Sequence, residues 1–347
     1  MKKQSKESSR NQSQRKTVRN RKRQHSMQTG IAIAAGIAIL AGIYLIVTQG
    51  KLFPGGASIT NVTSASISAA ESTVSRISSG SADSSSIPAE ITSAVPTPTK
   101  AQPTGSNLPV STVRDGWWYS PGKTQGAPST TSAAHVSVCD RFDGIWQADT
   151  TKKEVYITMD CGYDYNGNTA KILDIAKEKG FKITFFVTGA MFQTPALKAL
   201  VLRMVNEGHL VGSHTWDHPS LPTMLNEKGA AAVNAEMDKV EAAFTELTGR
   251  QIAPYMRPPM GEFSEATMQL MQKRGYKTVF WSFAHKDWVT TDQPSEAVAW
   301  KAVTDGLHNG VVYLLHTVSN TNVAILPRLI DEIRAQGYEL GLVNDIK

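Results

Sequence analysis

The chain has 347 residues, 41% hydrophobic and 19% charged, with a formal net charge of +6. Residues 1–29 carry ten Lys or Arg against one acid, Glu7, which leaves the remainder slightly acidic. The basic pI therefore belongs to the tail, which could bind nucleic acid but is expected not to, because it abuts an apolar segment.

The tail abuts an uncharged, continuously apolar run of eighteen residues at 30–47, at the short end of what spans a bilayer as a helix. Flanking cations hold the amino terminus in the cytoplasm. The long charged region and the lack of an Ala-x-Ala site favour a retained signal anchor over a cleaved signal peptide. From 49 to 110 the chain is rich in Ser, Thr, Ala and Pro and nearly lacks aromatics, a composition that cannot offset its own chain entropy. The expected organisation is a basic cytoplasmic tail (1–29), a transmembrane signal anchor (30–48), a disordered linker (49–110) and a folded domain (111–347) that opens near Trp117-Trp118-Tyr119.

In the folded part, strand-like runs near 154–159, 182–187, 209–213, 254–256, 277–283, 311–316 and 338–343 alternate with helical patterns near 168–179, 195–207, 227–247, 264–274, 295–308 and 322–336. Gly180, Gly208, Gly249, Gly275 and Gly337 each follow a helix, and Ser264 is placed to cap one. The pattern predicts an α/β fold, a distorted or incomplete (β/α) barrel, with a doubly wound open sheet as the alternative.

Short polar motifs stand at the strand ends, which in a parallel barrel open onto one face. Asp160-Cys161 ends the first run, and a carboxylate there is costly to bury without a partner. Cys161 is either a thiolate ligand or a small packed residue, and a disulfide with Cys139 is disfavoured because it would consume a site position. His214 and His218, four apart, can share a cation from one side of a helical turn ended by Pro219. Arg257 precedes a rigid Pro258-Pro259-Met260-Gly261 turn and can hold Asp160 ionised. Asp287-Trp288 offers a carboxylate for the imidazole of His316, whose pKa it would raise toward that of a general acid.

The order Asp160-Cys161-Gly162-Tyr163, Phe185-Phe186-Val187-Thr188-Gly189, His214 to His218, Arg257-Pro258-Pro259, Val279-Phe280-Trp281-Ser282 with Asp287, and Leu314-Leu315-His316-Thr317-Val318-Ser319 resembles the NodB-type polysaccharide deacetylases of carbohydrate esterase family 4. More narrowly it is similar to the delta-lactam-forming muramic acid deacetylases of spore cortex. The resemblance spans about residues 115–345 and implies a metal-dependent hydrolase that removes N-acetyl groups from a glycan.

Matched by motif, the resemblance makes Asp160 the base, His316 the acid, Arg257 the group holding Asp160 and Asp287 the group tuning His316. His214 and His218 become ligands of one divalent cation, zinc first, with cobalt, manganese or nickel as alternatives. Cys161 stands where the family usually has a metal-binding Asp and is taken as a third ligand. Trp288 and Leu314 would wall the acetyl pocket, the Met260 amide would serve the oxyanion, and Tyr163 joins the substrate-binding set. The implied partners are peptidoglycan strands, and the membrane through the anchor, with a monomeric catalytic domain facing the cell wall. Deacetylation of N-acetylglucosamine is the second reading. A catalytically silent wall-binding module, suggested by Cys161, is the third. A metallopeptidase is disfavoured because no HExxH pattern occurs.

Overall fold

A computed structural model describes residues 110–347. The basic tail, the apolar run at 30–47 and residues 49–109 of the linker lie outside the described residues. Among the described residues, no helix is long and apolar enough to cross a membrane.

The elements in chain order are β1 (Asp115–Gly116), α1 (Ala133–Arg141), β2 (Glu154–Cys161), α2 (Asn168–Glu178), β3 (Thr184–Val187), α3 (Pro195–Asn206), β4 (Leu210–Ser213), α4 (Leu221–Thr248), β5 (Tyr255–Met256), β6 (Glu262–Phe263), α5 (Glu265–Lys273), β7 (Lys277–Thr278), β8 (Phe283–Ala284), α6 (Glu296–Asp305), β9 (Val311–His316), α7 (Asn320–Ala335) and β10 (Glu339–Gly341). The main sheet runs β7-β5-β4-β3-β2-β9-β8, entirely parallel, with β10 added against the start of β2. Strands buried on both faces read as unbroken apolar runs rather than alternating ones, and β2 and β9 have that character.

The register of the two central strands does the first part of the work. β2 and β9 pair from Val155↔Val311 through Asp160↔His316. Two polar residues at the ends of apolar strands are thereby set side by side, although 156 positions apart in sequence.

The run at 277–283, expected as one strand, is two. β7 pairs with β5 at one edge of the sheet, and β8 pairs with β9 at the other. Between them the chain crosses the gap, where Ile145 N donates to Thr278 O (2.8 Å) and Phe280 N donates to Ile145 O (2.7 Å). A segment that joins both edges cannot remain a straight ladder, and its bend curls the sheet into a half-barrel. The incomplete barrel is the architecture present, and the doubly wound open sheet is not.

Other expectations shift at their ends. α4 begins at Leu221 rather than near 227 and is interrupted at Gly229 (φ 79°, ψ 174°). Ser264 caps α5, its side chain accepting from Thr267 N. The helix α1 and the antiparallel β1–β6 pair carried no periodic signal strong enough to anticipate. Cys139 and Cys161 are both buried free thiols, so no disulfide forms.

Candidate active site

Asp160 closes β2 at the mouth of the half-barrel and is nearly buried. Its Oδ1 accepts from Arg257 Nη1 at 2.8 Å. Arg257 has no exposed surface. It also donates from Nε to Val279 O (3.2 Å) and from Nη2 to Phe280 O (3.1 Å), and it lies over the Phe186 ring at 4.3 Å. The crossing segment 279–280 thus supplies the carbonyls that let a guanidinium be buried. Burial alone would raise the Asp160 carboxyl, but the neighbouring His214, Arg257 and His316 outweigh it and hold the group below the ordinary carboxylate range.

His214 and His218 follow β4, and their rings lie 4.7 Å apart between centroids, edge to face. The expected helical turn is absent. Thr215 (φ 66°) and His218 (φ 56°) adopt left-handed backbone instead, and His218 N donates to Thr215 Oγ1 at 3.1 Å. Two such reversals fold the six-residue motif into a compact loop, and non-glycine residues held this way are uncommon and cluster at active sites and ligand clamps. Trp216, between the histidines, lies on Gly189, where an added Cβ would fall 2.3 Å from the indole Cδ2. Burial lowers the basicity of both imidazoles, that of His214 to about 4.

His316 ends β9 beside Asp160, with Nε2 4.0 Å from Asp160 Oδ2. Its Nδ1 is 2.7 Å from Asp287 Oδ1, and its backbone N donates to Asp287 Oδ2 at 2.8 Å. Burial pulls the His316 pKa down, yet the charge and hydrogen bond of Asp287, joined by Asp160, raise it on balance. Two residues that the motif reading passed over complete this cluster. Asn322, in the first turn of α7, donates to Asp287 Oδ2 at 2.6 Å, and His285 Nε2 lies 3.2 Å from Asn322 Oδ1. The signal for Asn322 was the Ser319 cap that opens the helix three residues earlier. His285 had none.

A cleft of about 1120 Å³ opens over these groups. Asp160, His214, His218 and His316 line its floor, and Tyr163, Met260, Trp288 and Leu314 contribute to its walls, with Trp216 and Trp281. Trp288 is half-exposed, with its ring 5.6 Å from that of His316, and Met260 stands in a left-handed turn (φ 59°). Arg257 and Asp287 do not reach the cleft; they sit behind Asp160 and His316.

Cys161 is the one candidate that the structure removes from the site. Adjacent strand residues point to opposite faces. While Asp160 faces the mouth, Cys161 enters the main hydrophobic core, its Sγ 3.6 Å from Met191 Sδ. Burial pushes its thiol up to about 12, as expected of a small side chain packed in an apolar core. Among the described residues, no group of three or more His, Cys, Asp or Glu is arranged to hold a metal.

The remaining donors are two imidazoles beside a carboxylate, and they fit a cation. The Arg257 carbonyl can only accept, so the 2.8 Å contact fixes the proton of His214 on Nδ1. His214 Nε2 then presents a lone pair 3.3 Å from an ionised Asp160 oxygen. An imidazole lone pair and a carboxylate oxygen that face one another are the donor types that divalent cations take.

Comparison with known proteins agrees with this geometry. A family model described as polysaccharide deacetylase matches residues 147–279. The peptidoglycan-N-acetylmuramic acid deacetylase PdaA of Bacillus subtilis is 37% identical over 210 residues, 60% of this chain and 77% of the relative. The chain belongs to the polysaccharide deacetylases of carbohydrate esterase family 4. The solved structure of Bacillus subtilis PdaA, described as a family 4 carbohydrate esterase, superposes with a TM-score of 0.64 at 34% identity, covering 68% of this chain and 98% of the other. The peptidoglycan-N-acetylglucosamine deacetylase PgdA of Listeria monocytogenes is 31% identical over 56% of this chain and 39% of its own length. The superposition on PdaA supports the curled parallel half-barrel, and the printed names of both relatives are those of peptidoglycan deacetylases.

Proposed function

We propose that this chain hydrolyses the N-acetyl groups of peptidoglycan with the help of one divalent cation, acting first on muramic acid residues on the route to the delta-lactam. The observation that carries the chemistry is the opposition of an Arg-held carboxylate and a carboxylate-held imidazole, Asp160 and His316, across 4.0 Å in one cleft. The greater identity to the muramic acid enzyme than to the glucosamine enzyme supports the choice of sugar.

His214 and His218 would hold the cation, with zinc the first choice for a pair of neutral imidazoles. When bound, it supplies electrophilic polarisation of the acetamide carbonyl and of water. The protein's own groups do the rest. Asp160, kept ionised, accepts the proton of the attacking water. The Met260 amide, at the cleft wall, is the candidate donor to the oxyanion that develops. His316, kept protonated through Nδ1 by Asp287, delivers its Nε2 proton to the departing amine, and acetate is the second product. The indoles of Trp216, Trp281 and Trp288 give apolar faces against which sugar rings pack. The apolar run at 30–47 and the basic residues before it support a membrane-anchored enzyme facing the wall.

The test is to incubate the protein with intact and with amidase-trimmed peptidoglycan, with and without a chelator, and to map free amines by mass spectrometry. Free amines confined to muramic acid of the trimmed polymer, and lost on chelation, are expected. Free amines on glucosamine instead would move the assignment to the second reading, and none on any substrate would leave a silent wall-binding module.

A further inference from the structure

Asp287 is wholly buried, and its two oxygens receive three donors: His316 Nδ1, His316 backbone N and Asn322 Nδ2. The third donor comes from a different element and from a residue that never reaches the cleft. Asn322 is itself buried, and its Nδ2 faces two groups that can only accept, Asp287 Oδ2 at 2.6 Å and His316 O at 3.2 Å. That choice turns its Oδ1 toward His285 Nε2 at 3.2 Å, which must then carry the proton. The direction of every bond in the chain follows from its acceptors. His285 donates to Asn322, Asn322 donates to Asp287, and Asp287 accepts from the Nδ1 of His316. The Nε2 of His316 is left free toward the cleft.

We infer that Asn322, oriented by His285, is a positioning residue of this enzyme: it fixes the Asp287 carboxylate and, through it, the direction in which His316 presents Nε2. The inference rests on the reading above of His316 as the acid. Without the Asn322 donor, Asp287 Oδ2 would keep the backbone N–H of His316 as its one hydrogen bond, with His285 Nε2 too far at 3.7 Å to replace it, and the carboxylate could rotate about its own side-chain bond. A rotated carboxylate no longer holds Nδ1, and the imidazole loses both its tautomer and its aim. Without His285, the Asn322 amide has no partner for Oδ1 and can turn its oxygen onto Asp287, converting an attraction into a repulsion. Partners of this kind, one step removed from the reacting atoms, typically carry factors of 10 to 100 in activity.

The experiment uses the full chain with Asn322→Ala, His285→Leu and His285→Gln, amidase-trimmed peptidoglycan as substrate, and nitrogen-15 spectra of the histidine rings. Asn322→Ala is expected to lower kcat by about 10- to 100-fold with KM changed less than about twofold, since it alters no substrate contact. Recorded at a pH where the ring is neutral, its His316 signals should change from a single Nδ1–H form to a mixture of tautomers. His285→Leu should show the same change in weaker form. His285→Gln, whose amide can still donate to Asn322 Oδ1, should restore most of the rate. A kcat for Asn322→Ala within about twofold of the parent overturns the proposal, as do unchanged His316 signals or a His285→Gln no better than His285→Leu. If Asn322→Ala does not fold, the His285 pair decides alone. If the parent protein deacetylates nothing, the functional reading fails, but the ring spectra still judge the positioning role.

Discussion

The Nε2 of His214 lies 3.3 Å from Asp160 Oδ2 while its Nδ1 is committed to the Arg257 carbonyl. One carboxylate is therefore shared between a buried guanidinium on one oxygen and an imidazole lone pair on the other. The guanidinium explains why Asp160 can be both nearly buried and ionised, and it makes the residue structural as well as chemical.

Replacing Asp160 separates those two roles. Asp160→Asn and Asp160→Ala should each lower turnover by about 100- to 10,000-fold, the usual contribution of a proton-transfer group. Asp160→Ala should also destabilise the fold by about 3–5 kcal/mol, because Arg257 is left as an uncompensated buried charge. Asp160→Asn keeps an acceptor for Arg257 Nη1 and should melt nearer the parent. Acetate release and thermal melting measured together check both; equal melting of the two variants would contradict the account.

The pH dependence follows from the two shifts of opposite sign. Activity needs Asp160 ionised, and its pKa is lowered, so the acid limb should fall below the ordinary carboxylate range. It also needs His316 protonated, and its pKa is raised, so the alkaline limb should lie above 6.5. Asp287→Asn removes the charge that raises His316 and should move the alkaline limb to lower pH. A pH profile of kcat/KM for parent and variant measures this, and an unmoved limb would show that another group controls it.

Cys161 separates the packing reading from the metal reading. Because its Sγ faces Met191 in the core, Cys161→Ala should leave bound-metal content unchanged and cost only about 1 kcal/mol of stability. Metal analysis of the purified variant, beside its melting curve, is the measurement. A substantial loss of metal would restore Cys161 to the ligand set.

Gly189 is the seat of the histidine loop. Gly189→Ala would drive a methyl group to 2.3 Å from Trp216 Cδ2 and displace the indole of the residue that stands between His214 and His218 in sequence. Overpacking of this kind costs about 1–3 kcal/mol. The loop should shift with the indole, so zinc affinity measured by titration should fall as well. Unchanged affinity in a folded variant would uncouple Trp216 from the metal donors.

Much of this protein was legible without coordinates, for a definite reason. Alternating apolar strands and amphipathic helices imply parallel βα units, and parallel units bring all carboxyl ends to one face, so Asp160, His214, Arg257 and His316 could be assigned to a common mouth from local patterns alone. What no local pattern carries is register, parity and curl. Whether Cys161 joins Asp160 or turns away depends on which strand face meets the core. The histidine loop takes left-handed turns while Trp216 lies on Gly189, a residue of the turn that follows β3. The segment from Lys277 to Ala284 became two strands because it passes from one edge of the curled sheet to the other, and Asn322 and His285 reach Asp287 only once that curl brings α7 and the end of β8 together. Each of these depends on contacts between residues far apart in the chain, which only the tertiary structure decides.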